Sequence, residues 1–220
     1  MKKTLFAYIL FTLSIFASTS FYEKGINFLE KNNTIEATKC FREASKNGNA
    51  KAMYKLGLIY EKKQENQEAI EWYKRAKESG NIKSKYNLGV LSCKTKSYEF
   101  LNDFEAYAKE STKTVQYDLG VCFSKKGDKQ KALKWFKKSA NKGDAKAQYR
   151  VATLTSNKKE KIKWLKKSAK NNYTEAQFNL GKIYFKTHQL KSSKYWLRKA
   201  KKSGSKKASV YLKRMKELGL

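Results

Sequence analysis

Apolar residues recur along this chain with the spacing of α-helices, in segments separated by short polar links. From Ala50 to Tyr60 the apolar positions fall on one helical face, and the segment from Ala69 to Ala76 shows the same spacing. Proline is absent and strand-like alternation is lacking. The pattern therefore predicts an all-helical protein in which neighbouring segments form antiparallel helix pairs.

A tyrosine-leucine-glycine signature repeats this helix pair about every 32 residues. It ends at Gly57, Gly89 and Gly120, and with phenylalanine in the tyrosine position it ends at Gly181. A fixed period of this size is typical of a solenoid, because one helix pair cannot bury its own apolar face and must stack on its neighbours. We predict about six repeats within residues 21–220, followed by a capping helix over 206–218. The repeats are expected to begin near residues 21, 50, 82, 113, 145 and 174.

A second signature marks the second helix of the pair: a tryptophan followed eight residues later by glycine or asparagine. The pairs are Trp72 with Gly80, Trp135 with Gly143, Trp164 with Asn172, and Trp196 with Gly204. Glycine or asparagine there predicts a helix C-terminus. We interpret the tryptophan row as core packing rather than as a platform for ligands. The third repeat, around Tyr98 to Ala108, has no tryptophan, and its register is ambiguous.

Residue size also predicts how the helices pack. Gly57 and Ala69 are small where the two helices of a hairpin should approach closely. Trp72 and Tyr73 are large and are expected to fill the gap to the neighbouring repeat.

The first 20 residues differ from the rest. Lys2 and Lys3 precede an apolar run from Leu5 to Ala17, and small residues follow. This is the pattern of a secretory signal peptide, and the run is shorter than the roughly 18 to 20 residues of a membrane-spanning helix, so an uncleaved membrane anchor is the less favoured alternative. We therefore expect an exported protein, periplasmic or secreted after cleavage, with no transmembrane span in the mature chain.

Three cysteines lie in different repeats, so the chain has no disulfide framework. Cys93 and Cys122 fall in the first helices of successive repeats, where a bridge is geometrically possible. Two ordinary buried thiols are the alternative.

The segment from Trp135 to Tyr149 resembles the bacterial Sel-one-like repeat (SLR), a branch of the tetratricopeptide superfamily, and the resemblance extends over most of residues 21–220. It implies an all-α, right-handed superhelical solenoid of stacked helix-turn-helix repeats. It also implies a non-enzymatic scaffold for protein-protein interaction that binds a peptide or protein in a concave groove lined by the first helices. By the family's register the groove residues are Lys55, Asn87, Asp118, Arg150, Asn179 and Lys182. Ordinary solvated polar residues are the alternative for these positions.

The net charge of +31 suggests a different function. Residues 113–220 carry 31 Lys or Arg against 6 acidic residues, and basic pairs follow each tryptophan at the second and third positions. Stacked repeats would align these pairs as a ladder that includes Lys137, Lys138, Lys166, Lys167, Arg198 and Lys199. Such a field attracts acidic polysaccharide or phosphorylated lipid of the cell envelope, or acidic proteins. A merely solvated surface is the alternative. No native nucleic acid partner is expected, because no aromatic-basic binding motif accompanies the charge.

Signals for catalysis are weak. The single histidine, His188, is expected in an exposed link, so no catalytic residue, cofactor site or metal site is predicted. Some cysteine-rich SLR proteins are described as penicillin-binding or β-lactamase-like, which makes that activity the second alternative. The serine-x-x-lysine pattern it would need occurs from Ser139 to Lys142 and from Ser156 to Lys159, but such a pattern is expected by chance in a chain so rich in lysine.

Overall fold

The computed structural model describes the backbone of residues 2–219 and the side chains of residues 16–219. Over this range the chain is all-helical, with thirteen α-helices and no strand. The helices are α1 (Lys2–Glu30), α2 (Thr34–Lys46), α3 (Ala50–Lys62), α4 (Asn66–Glu78), α5 (Ile82–Lys94), α6 (Leu101–Ala108), α7 (Lys113–Lys126), α8 (Lys129–Asn141), α9 (Ala145–Leu154), α10 (Lys158–Lys170), α11 (Thr174–Lys186), α12 (Leu190–Lys202) and α13 (Lys206–Glu217).

The chain forms two compact units, Met1–Tyr107 and Ala108–Leu220. In the first unit, α1 packs on α2 and α3 on α4, and these pairs stack through α2 on α3 and α4 on α5. Its core contains the fully buried Phe41, Leu56, Tyr73, Leu88 and Leu91. The unit is therefore a stack of helix pairs, as the repeat predicts.

The second unit repeats the arrangement with the pairs α7–α8, α9–α10 and α11–α12. The pairs stack through α8 on α9 and α10 on α11, and α13 packs on α12. Ala208 and Met215 of α13 are buried against Leu197 and Ala200 of α12. The last helix thus covers the apolar face that the sixth repeat leaves open.

Glycine in the first helix lets a large side chain of the second helix lie against the backbone. A Cβ at Gly120 would stand 2.7 Å from the Phe136 ring, and one at Gly181 would stand 2.8 Å from Leu197 Cγ. Gly57 has the same relation to the Tyr73 ring, so this ring fills space within its own hairpin. The Tyr73 hydroxyl also accepts a hydrogen bond from Asn87 of the next repeat.

The same contact identifies the register of the third repeat. A Cβ at Gly89 would clash with the ring of Phe104, which therefore occupies the position that Tyr73 and Phe136 hold in other repeats. Asp103 then stands in the tryptophan position. Because this repeat lacks the tryptophan, its register could not be assigned from the sequence.

Polar side chains and left-handed residues end the helices. Asn49 accepts a hydrogen bond from the Ala52 amide at 3.0 Å, and Asp144 accepts one from the Ala147 amide at 2.7 Å. The predicted helix ends are confirmed, because the residue eight positions after each tryptophan has a positive φ in every case. These residues are Gly80 (90°), Gly143 (84°), Asn172 (60°) and Gly204 (91°).

Helix α1 continues through the predicted cleavage region. Ser18 is buried, and its hydroxyl donates to the Ala44 carbonyl at 3.4 Å. The side chains of the predicted apolar run before residue 16 lie outside the described residues. No helix within the described part of the chain is both long enough and apolar enough to cross a membrane.

The three cysteines lie on three helices. Cys40 on α2 is a half-buried free thiol. Cys93 on α5 is buried in the first unit, and Cys122 on α7 is buried in the second.

Candidate protein-interaction surface

The predicted groove residues of the first unit lie on α3 and α5. Lys55 is half-buried on α3. The Asn87 side-chain amide donates to the Tyr73 hydroxyl at 2.8 Å, and that hydroxyl donates to Glu61 at 2.7 Å. Burial, and after it the hydrogen bond to Glu61, raises the pKa of Tyr73 far above its usual value. Asn87 is therefore engaged in a contact that joins two repeats.

In the second unit the predicted residues fall into two groups. Asp118 on α7 is half-buried and Arg150 on α9 is exposed, and neither lines a cavity described below. The Asn179 amide on α11 donates to the Tyr149 hydroxyl on α9 at 3.0 Å, which again joins adjacent repeats. Asn179 and Lys182 both line a cavity.

This cavity has a volume of about 340 Å³ and lies between α9, α10 and α11. Its lining residues are Ala152, Thr153, Lys161, Leu165, Asn179, Lys182, Ile183 and Lys186. Leu165 is almost fully buried and Ile183 is half-buried. Apolar side chains with cations, an amide and a hydroxyl around them are typical of recognition pockets.

A second cavity, of about 220 Å³, lies between α11 and α13 and shares Lys182 and Lys186 with the first. Its other lining residues are Phe185, Tyr211, Arg214 and Leu218. Because the two cavities share one face of α11, we call them together the α11 groove. Sequence reasoning missed Lys161, Lys186 and Arg214, although Lys186 follows Lys182 by one helical turn.

The basic ladder divides into two sets of side chains. The cation three residues after each tryptophan lies over the indole ring of its own helix, a favourable cation-π arrangement. The distances to the ring centroid are 5.0 Å for Arg75 over Trp72, 4.3 Å for Lys138 over Trp135, 4.6 Å for Lys167 over Trp164 and 5.6 Å for Lys199 over Trp196. These cations therefore help to cover the tryptophans.

The cations two residues after the tryptophans differ among repeats. Lys137 pairs with Glu160 at 3.1 Å, whereas Lys166 and Arg198 are exposed. The hydrogen bond from Lys137, followed by those from Thr155 and Trp164, lowers the pKa of Glu160.

Helix α12 carries five cations around one cavity. Its exposed face, called here the α12 basic face, lines a shallow cavity of about 480 Å³. The lining residues are Lys191, Lys194, Tyr195, Arg198, Lys199 and Lys202. The face holds no acidic residue, because α12 contains none.

The residues considered for catalysis are structural or exposed. Ser139 is fully buried and donates to the Lys113 carbonyl at 2.7 Å, while Lys142 donates to the Ser111 carbonyl at 2.7 Å. Ser156 and His188 are exposed. Within the described residues, no group of histidine, cysteine and acidic side chains is arranged to hold a metal ion.

Comparison with protein families identifies two related repeats. The Sel1 repeat profile matches residues 115–144, 145–173, 174–186 and 187–205. A tetratricopeptide repeat profile matches residues 22–81. No curated protein matches the chain.

Solved structures share the fold. The protective antigen c5321 of uropathogenic Escherichia coli, which displays an SLR fold, is 24% identical with a TM-score of 0.71. The match covers 92% of this chain and 49% of that protein, so the chain spans about half its length. A Sel1 repeat protein from Oxalobacter formigenes is 21% identical, with 88% and 89% of the chains covered and a TM-score of 0.61. PilF of Pseudomonas aeruginosa is 17% identical, with 90% and 97% covered and a TM-score of 0.66.

Proposed function

Because the chain belongs to the tetratricopeptide repeat superfamily, with Sel1 repeats in its second unit, we propose that it is a non-enzymatic scaffold that binds a segment of a partner protein in the α11 groove. Repeats of this kind are typical of protein-protein interaction and generally serve as non-catalytic scaffolds. The observation that carries the proposal is the α11 groove itself, where apolar and hydrogen-bonding side chains from successive repeats line two adjoining cavities.

Rigid walls favour such binding. Leu197 packs against the α11 backbone at Gly181, and the hydrogen bond from Asn179 to Tyr149 ties α11 to α9. A partner segment would therefore meet side chains that are already ordered, which lowers the entropic cost of binding. Side chains of an extended segment would enter the apolar parts of the groove, while Lys182 and Thr153 offer hydrogen bonds at its edge.

The proposal is tested by selecting peptides of about twelve residues from a random display library on the full chain. Enriched peptides are then measured against Ile183→Ala and Lys182→Ala, with Lys199→Ala on the α12 basic face as the control. We expect about tenfold weaker binding to the groove variants, because truncated anchor residues typically cost this much, and unchanged binding to the control. Equal binding to all four proteins would overturn the proposal, as would the absence of any enriched peptide.

We also propose that the chain is exported. Support comes from the charged and apolar pattern of residues 1–20. N-terminal sequencing of the protein recovered from periplasm and medium tests this. A mature terminus near residue 21 is expected, whereas recovery of the uncleaved chain from the cytoplasm alone would contradict export.

The α12 basic face favours a second candidate function, attachment to anionic lipid of the cell envelope. Its cations line one cavity, and Tyr195, which is 51% exposed, stands among them. Each cation near an anionic membrane surface contributes about 1 kcal/mol. Flotation with phosphatidylglycerol vesicles should be lost in Lys191→Glu/Arg198→Glu and retained in Lys51→Glu/Lys62→Glu, which alters exposed lysines of the first unit by the same charge. If the protein binds an acidic polysaccharide but not the vesicles, the anionic partner of this face is the polysaccharide and not the lipid.

A further inference from the structure

We infer that the α11 groove recognises an acidic segment, in which carboxylates flank at least one large apolar side chain. The inference rests on the proposed function and adds the chemical class of the partner. It follows from the charge and the shape of the groove.

The charge of the groove has one sign. Lys161 of α10, Lys182 and Lys186 of α11, and Arg214 of α13 line it, and none of its lining residues is acidic. Lys182 and Lys186 are four residues apart on one helix, so they stand one above the other with their side chains on the same face. Three helices thus contribute cations to the two adjoining cavities.

These four cations also lack carboxylate partners within the described part of the chain. Of the acidic residues near the groove in sequence, Glu160 pairs with Lys137 at 3.1 Å and Glu217 lies 3.8 Å from Lys213. Glu175 of α11 lines a neighbouring cavity and forms no ion pair with the four cations. Like charges that stand together without a counter-charge repel one another. An anionic ligand relieves this repulsion, whereas a basic or neutral ligand does not.

The shape of the groove distinguishes a peptide from a membrane or a sugar polymer. Between the cations lie Leu165, Ile183, Phe185 and Tyr211, in cavities of about 340 Å³ and 220 Å³. Such recesses accept one or two apolar side chains. A polysaccharide brings no such side chain, and a lipid surface is too flat to enter them. An acidic peptide with a buried leucine or phenylalanine satisfies both features.

The test uses two fluorescently labelled peptides of about twelve residues. The acidic peptide carries glutamates on both sides of a central Leu-Phe pair, and the second has glutamine at each of those positions. Binding to the full chain is followed by fluorescence anisotropy at about 50 mM and about 200 mM salt. The groove variant is Lys182→Glu/Lys186→Glu, and the matched control is Lys146→Glu/Lys163→Glu, which changes the net charge equally at exposed lysines of α9 and α10 outside the groove. Circular dichroism verifies that both variants remain folded.

We expect the acidic peptide to bind at least about tenfold more tightly than the glutamine peptide, and the groove variant to lose at least about tenfold while the control stays within about twofold. Equal loss in both variants would overturn the inference, because it would mean that the overall field and not the groove holds the peptide. Equal binding of the two peptides, with loss in the groove variant, would reject the acidic class and leave the proposed function standing. If neither peptide binds, the acidic class is rejected, and the library selection then decides the proposed function separately.

Discussion

Replacing Gly120 by alanine should destabilise the second unit even though alanine is the better helix former. The added Cβ would lie 2.7 Å from both Cδ1 and Cε1 of Phe136, whereas ordinary contacts begin near 3.4 Å. The Phe136 side chain is only 1% exposed and its ring lies 5.5 Å from that of Tyr117, so it has no free space to move into. The clash must therefore be absorbed by moving the helices of the hairpin apart.

Two opposing effects determine how much Gly120→Ala changes the free energy of unfolding. Overpacking of a buried site costs about 1 to 3 kcal/mol, and the dense packing here places the cost near the upper end. Alanine in place of glycine inside a helix stabilises the fold by about 1 kcal/mol through its higher helix propensity. We therefore expect Gly120→Ala to lose about 2 kcal/mol, which lowers the urea midpoint by about 1 M for a unit of this size. Equilibrium urea unfolding followed by far-UV circular dichroism measures the shift.

The fifth repeat provides the control, because Ala152 and Leu165 occupy the positions of Gly120 and Phe136 there. In a Phe136→Leu background, Gly120→Ala should lose less stability than in the native background, because the fifth repeat packs alanine against leucine and helix propensity favours alanine. Ala152→Gly should lose about 1 kcal/mol for the same reason. A stable Gly120→Ala protein in the native background would refute the account of the glycine position.

Three further perturbations test other contacts. Asn87→Ala should lower the free energy of unfolding by about 1 kcal/mol, measured in urea, because the Tyr73 hydroxyl loses a donor from the next repeat. Asn49→Ala should cost about 1 kcal/mol in the same assay, because the α3 terminus loses its cap. Glu160 has a lowered pKa in the folded state, chiefly through Lys137, so it stabilises the fold above its unfolded pKa of about 4.3 and that contribution is lost as pH falls further. Glu160→Gln should therefore have a lower melting temperature than the native chain at neutral pH, and this difference should disappear below about pH 4. A difference in melting temperature that does not depend on pH would contradict this assignment.

The sequence alone determined the all-helical repeat architecture. The helical period, the recurring glycine and the residues that end helices act over a few positions each, so their consequences can be inferred without knowing the rest of the fold. The third repeat shows the limit of this reasoning. Its register became clear only from the packing of Phe104 against Gly89, because the tryptophan that marks the other repeats is missing.

Tertiary structure decided which polar side chains are available for binding. Asn87 and Asn179 stand in equivalent positions of the family register, yet both donate to tyrosine hydroxyls of a preceding repeat, 14 and 30 residues away in sequence. Lys161 and Arg214 come from outside that register and join Lys182 in the α11 groove. No local pattern specifies such partners, because they depend on how far apart the stacked helices lie and how they are rotated. Stacking is the sum of many side-chain contacts along the unit, and it exists only once the chain has folded.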